Sequence, residues 1–211
     1  MNSWAAHFTQ IAHDDTLPAV IFTGTGAAFC AEMNMAELPA EPGASEWTRL
    51  MREGRDLMMN FLDIEVPVIS AINGPAYIHA QLPVLADVTL ASTTTELADL
   101  AHFVHGTVPG DGVHVVWSML LGLNRARYFL MTGQRLSAAE AQSLGVVNEV
   151  LEPQKLLGRA WQIAADFARQ PAVALRHTRL ALTQHVKRRL LDELGSGLAL
   201  EGLGILAQRV P

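Results

Sequence analysis

The sequence predicts a single α/β domain. Three observations carry this expectation. Short apolar runs alternate with longer stretches of helical periodicity. Half of the 211 residues are apolar and 17% are charged, the balance of a well-packed globular chain. No repeat or linker divides the chain, and its length is enough to bury a substantial core.

Each element follows from local pattern. Residues 20–24, "VIFTG", read as a buried strand ended by glycine. Over 45–62, Trp47, Leu50, Met51, Leu57, Met58 and Phe61 recur at helical spacing. The stretches 66–74 and 84–92 read as further strands, and 146–151 as a later, shorter one. Ser137 with Glu140 forms a capping-box pattern that starts a helix stopping at Gly145. Pro153 suits the first position of another helix. Pro171 opens a last one that runs to near the end. Residues 1–151 are expected to form the core, with 152–211 a helical region of the same domain.

The net charge of −6 argues against non-specific binding to nucleic acid. Cys30 is the single cysteine, which rules out an intramolecular disulfide and fits a reducing compartment. The start "MNSWAAHFTQ" lacks a basic segment followed by an apolar one. No apolar run reaches the roughly 18 residues of a membrane span. A soluble cytoplasmic protein without a membrane partner is expected.

Candidate chemistry concentrates in residues 101–117, "AHFVHGTVPGDGVHVVW", where His102, His105, His114 and Asp111 surround a Pro-Gly-Asp-Gly turn. A catalytic loop is one reading. A polar turn carrying imidazoles is the other, since Asp tolerates such turns well. His102, His105 and Asp111 lack a recognised metal-ligand spacing, so no metal is expected. Glu201 is a lone acid on an otherwise apolar helix, open to roles as a surface charge, an oligomer contact or a site residue. Cys30 reads as a small core residue, Trp117 as core or pocket wall, and "VKRRLLDEL" (186–194) as a solvated helix face.

The order of motifs resembles the crotonase (enoyl-CoA hydratase/isomerase) superfamily. "VIFTGTGAAFCAEMN" is similar to that family's strand, Gly-x-Gly turn and "FCAG-D" segment. "VPVISAINGPA" matches the strand leading to "NGPA", and "GTVPGDG" the "G-x-x-PG-x-G" turn. "YFLMTGQRLSAAEAQSLGVVNEVL" matches the segment that ends the core. The resemblance implies a spiral of repeated ββα units with a helical C-terminal region, and a homotrimer or dimer of trimers. By the same register an N-terminal hairpin and the start of the first helix would precede Met1, together with a tryptophan and a histidine of the diketone-cleaving branch; Trp4 and His7 do not align with these. The family's shared device is a pair of backbone N–H groups that bind an oxyanion. On this chain they fall on Ala31 and His79.

Departures from the CoA enzymes narrow the reading. Hydratases of the family use two glutamates as acid and base. Gln81 and His102 stand in those two slots, and glutamine cannot exchange a proton near neutral pH. "FCAG-D" becomes "FCAEMN", with Glu32 for glycine and Asn34 for aspartate. These substitutions resemble the β-diketone hydrolase branch typified by 6-oxocamphor hydrolase. Its functional positions fall on His79, His102, Asp111 and Glu201. The resemblance implies hydrolysis of a carbon–carbon bond between two ketones, with no metal or organic cofactor. His102 would be the base acting on water, and Asp111 would fold back to fix its tautomer. His79 and the Ala31 N–H would stabilise the enolate. Two alternatives stand beside this reading: a CoA-thioester hydratase or isomerase with relocated acid–base residues such as Glu32, and an inert scaffold that keeps only the oligomer.

Overall fold

The computed structural model describes residues 2–34 and 43–207. Four parallel strands form the main sheet in the order β1 (Val20–Thr23), β2 (Val68–Ile72), β3 (Val88–Ser92), β6 (Glu149–Leu151). Parallel neighbours need long crossovers. The first includes helix α2 (Ala44–Asp63), and the second the single turn α3 (Gln81–Val84). The third holds α4 (Val113–Leu121), α5 (Leu123–Thr132) and α6 (Ala138–Ser143).

A second, smaller row of pairings runs beside this sheet. Cys30 bridges Ala76, Ala76 bridges Leu97, and β4 (Glu96–Leu97) pairs antiparallel with β5 (Leu136–Ser137). Each of the first three main strands is thus followed by a short second pairing, the repeated unit of the α/β spiral expected from the sequence.

Every residue of β2 is buried because both faces of the sheet are covered. On one side α7 (Pro153–Phe167) packs Leu156, Ala160 and Ile163 against Ile69, Ala71 and Leu90. The other side faces the main core, where Phe8 from α1 (Asn2–Ala12), Phe61 from α2 and Phe22 from β1 meet edge to face or tilted. The last helix, α8 (Ala172–Ala207), is 36 residues long. Arg179 anchors it. Its buried guanidinium donates to the carbonyls of Ile64 (2.6 Å) and Phe61 (3.2 Å) and to the Asp87 carboxylate. Asp87 in turn accepts from the Val68 N–H at 2.7 Å. One ion pair therefore ties α8 to the start of both β2 and β3.

The strand expected over 84–92 is shorter than its apolar run. Val84 closes α3, and Leu85 and Ala86 donate to the carbonyls of Leu82 and Pro83. The helical turn around Pro83 captures the first three residues of the run, and Asp87 already donates to Val68 of the neighbouring strand. The Ser137–Glu140 capping box is present, with α6 ending at Ser143 and Gly145 at φ 75°. Pro153 opens α7.

Candidate active site

Four segments converge on one buried cluster. The first follows β2. The carbonyl of Cys30 accepts from the N–H groups of Tyr77 (2.8 Å) and Ile78 (3.1 Å), which fixes the two loops side by side. His79 comes next, at φ 50°, the only described non-glycine residue with positive φ. It takes the left-handed conformation that a glycine segment would adopt without strain. The second segment is extended from Glu96 to Leu100. Ala76 donates to Glu96, Ala98 to Ala76 and Leu100 to Tyr77, at 2.9 to 3.1 Å. This ladder sets Asp99 rigidly, and a brief 3-10 turn (Phe103–His105) follows His102.

The third segment is the Pro-Gly-Asp-Gly turn, in which Gly112 at φ 102° hands the chain to α4. The Asp111 carboxylate lies at that helix N-terminus and accepts from Val113 N–H at 3.4 Å. The fourth is α8, which approaches the turn to backbone contact. A Cβ on Gly110 would lie 2.1 Å from the Gly197 carbonyl oxygen, and one on Gly197 would lie 2.4 Å from that of Gly110. Glu201 is one helical turn further on, its Cβ against Gly110.

The side chains form a chain of polar contacts. His102 Nδ1 donates to Asp99 Oδ1 at 2.7 Å. Its other nitrogen, Nε2, faces Asp111 Oδ1 at 3.7 Å. Asp111 Oδ2 accepts from Gln81 Nε2 at 3.1 Å and lies 3.3 Å from His79 Nδ1. Asp99, His102 and Asp111 are buried, at 4%, 5% and 8% exposure. Buried side-chain atoms of this cluster without a protein partner include Gln81 Oε1, Asp99 Oδ2 and Glu201 Oε2.

Charge is divided unevenly among these groups. Burial works against the His102 imidazolium. The carboxylates of Asp111, Asp99 and Glu201 outweigh it and push His102 up to about 9. Burial likewise works against the Asp111 carboxylate, but His102 and the hydrogen-bonded His79 outweigh it and hold Asp111 well below the usual carboxylate range. Glu201 goes the other way. Burial, reinforced by the neighbouring Asp111 and Asp99, pushes it up to about 8 despite His102. A carboxylate held ionised and a carboxyl held neutral therefore share one site, the pattern by which a fold sets out an acid and a base.

His102, Asp111, His79 and Glu201 are brought together. Two features differ from the sequence expectation. The close brace on His102 is Asp99, three residues back, and not Asp111, which faces the opposite nitrogen. His102 is also held above the ordinary histidine range, by the carboxylates around it. Asp99 escapes the sequence motifs because "ADLAH" follows none; its only signal is a carboxylate three positions before a histidine. Gln81, which reads as an inert replacement, holds Asp111 in place. Trp4, which receives no role from the sequence, sets its ring tilted against that of His79, centroids 6.5 Å apart.

The Ala31 and His79 N–H groups adjoin the Cys30 junction, and among the described residues neither donates to a protein acceptor. Glu32 and His105 are exposed. His114 packs its ring on Gly197, and Trp117 is fully buried against Phe129. Burial pushes the Cys30 thiol up, as befits an inert core cysteine. Among the described residues no group of three His, Cys, Asp or Glu side chains is arranged to hold a metal ion.

The family model described as enoyl-CoA hydratase/isomerase matches residues 1–200. The chain is 27% identical over 195 residues to an enoyl-CoA isomerase/hydratase of Mycosarcoma maydis, covering 92% of this chain and 69% of that one. Among solved structures, a β-diketone hydrolase from the cyanobacterium Anabaena sp. PCC 7120, bound to (S)-3-oxocyclohexyl acetic acid, is 45% identical with a TM-score of 0.96. That match covers 99% of this chain and 83% of the other. An enoyl-CoA hydratase/isomerase from Mycobacterium paratuberculosis superposes with a TM-score of 0.87 at 29% identity, covering 96% and 81%. The chain belongs to the enoyl-CoA hydratase/isomerase family, the crotonase superfamily, and within it is similar to a β-diketone hydrolase.

Proposed function

We propose that this protein hydrolyses a carbon–carbon bond of a β-diketone. The observation that carries the reading is the cluster of buried His102 and Asp111 with half-buried His79 and Glu201 around Gln81, where a hydratase of this family needs a carboxylate. The similarity to the Anabaena enzyme supports it.

In this reading water attacks one carbonyl carbon. Neutral His102 takes the proton at Nε2, and Asp111 stabilises the resulting imidazolium. The Ala31 and His79 N–H groups receive the charge that develops on the carbonyl oxygen, each donor typically worth about 3 to 4 kcal/mol. The tetrahedral adduct collapses, the carbon–carbon bond breaks, and its electron pair leaves as an enolate held by the second carbonyl. The carboxyl of Glu201 returns a proton to the enolate carbon. The products are a carboxylic acid and a ketone.

The active form needs His102 neutral and Glu201 protonated. With these groups at about 9 and about 8, kcat/KM is expected to follow a bell centred between the two values. The assembly is proposed to be a trimer or a dimer of trimers. A panel of cyclic 1,3-diketones and crotonyl-CoA, followed by loss of each chromophore, tests the function. Diketone consumption abolished in His102→Ala is expected. Consumption of crotonyl-CoA alone would select the CoA-thioester reading, and inertness to both the scaffold reading.

A further inference from the structure

We propose that Asp99 is the positioning residue of this site, holding the His102 ring with a proton on Nδ1 so that Nε2 alone exchanges protons beside Asp111. The inference rests on the diketone hydrolase reading for its kinetic consequences but not for its structural ones. It begins from the contact itself. At 2.7 Å the Nδ1–Asp99 hydrogen bond is the shortest that His102 makes, a full 1.0 Å shorter than the Nε2 approach to Asp111. An ionised carboxylate only accepts, so the proton of this bond belongs to the ring.

The burial of Asp99 argues against a merely architectural role. Its Oδ2 has no protein partner and the residue is 4% exposed. Burying a carboxylate with one of its oxygens unpaired is costly. A neutral asparagine could link the loop to the ring at less cost. The charge matters only because the ring beside it carries or receives one. The backbone around Asp99 is already fixed without its side chain, since Ala98 and Leu100 donate to Ala76 and Tyr77. The carboxylate is therefore free to serve the imidazole and not the loop.

Four groups set the charge around His102. They are Asp99 from the extended segment, Asp111 from the turn before α4, Glu201 from α8, and His79, which acts through Asp111. Gln81 is neutral and reaches only Asp111 and His79. Of these, Asp99 alone hydrogen-bonds Nδ1. An asparagine at position 99 can donate its amide N–H to Nδ1 and so favour the opposite tautomer, with the proton on Nε2 and no lone pair facing the site.

The test is nitrogen-15 NMR of histidine-labelled full-length protein, read with steady-state kinetics on a cyclic 1,3-diketone. In the wild type, neutral His102 is expected as the Nδ1–H tautomer. In Asp99→Asn, its titration is expected to fall by about 1 to 3 pH units on loss of the adjacent charge. The Nε2–H tautomer should then dominate. The variant's kcat is expected to drop by about 100-fold or more, with KM nearly unchanged. Asp99→Glu should recover part of that loss. A wild-type Nε2–H tautomer would overturn the proposal, and this spectrum is readable even if Asp99→Asn fails to fold. So would an Asp99→Asn variant with unaltered tautomer and titration and only a lowered Tm. If the wild type cleaves no diketone, the functional reading fails, while the tautomer still decides the role of Asp99.

Discussion

His79 occupies a conformation that costs an L-residue roughly 1 to 2 kcal/mol. The strain accompanies a ring that reaches Asp111, with Nδ1 3.3 Å from its carboxylate. His79→Gly removes both the strain and the ring, and His79→Ala removes only the ring. Urea unfolding is therefore expected to find the glycine variant more stable than the alanine variant by about 1 kcal/mol, with both catalytically impaired. Glu201 gives a pH signature. Its folded value, about 8, lies above the ordinary 4.5. Its contribution to stability is thus fully present below about 4.5 and lost as the pH rises through about 8. His102, raised from 6.5 to about 9, acts in the same direction. Glu201→Gln stays neutral, so its stability relative to wild type should climb between pH 5 and pH 9 in matched denaturant titrations; a constant difference would show that Glu201 does not titrate there. At this scale the sequence reveals the four residues that carry family motifs. Asp99 stays hidden because its partnership with His102 depends on the bend of the chain between them, where His102 sits at φ −116°, ψ −100°.

The elements owe their placement to close approaches that sequence periodicity only partly records. Capping signals are local, so α6 and α7 are legible from Ser137, Glu140 and Pro153. The strand ending at Ser92 is less so, because an apolar run does not distinguish a strand from the turn of helix around Pro83. The approach of α8 to the Pro-Gly-Asp-Gly turn is the least legible and bears most on function. It is possible because neither Gly110 nor Gly197 has a side chain. A methyl group at either position would meet a backbone carbonyl that cannot swing aside. Gly197→Ala is therefore expected to destabilise the fold by about 1 to 3 kcal/mol. It should also lower kcat by moving Glu201 away from Asp111. Thermal melting together with kinetics checks this; a destabilised variant with unchanged kcat would mean that Glu201 is not held by this contact.

Over the whole molecule, the site lies where the loops after β2 and β3 meet the start of α4 and the far part of α8. Apolar side chains remain exposed nearby. Phe103 and Val104 follow His102 directly, and Leu123, Tyr128 and Met131 extend along α5. Such a surface is expected to be covered by further copies of the chain. Light scattering coupled to gel filtration should give three or six times the 22.9 kDa chain mass. Replacing Tyr128 and Met131 with charged residues should shift it toward the monomer. Among the described residues no helix is long and apolar enough to cross a membrane. The most direct test of the central claim is hydrolysis of a cyclic 1,3-diketone in oxygen-18 water, with the product analysed by mass spectrometry. The account predicts a ring-opened keto acid with one labelled oxygen in its carboxyl group, formed by the wild type and not by His102→Ala. An unchanged diketone, with crotonyl-CoA hydrated in its place, would contradict it.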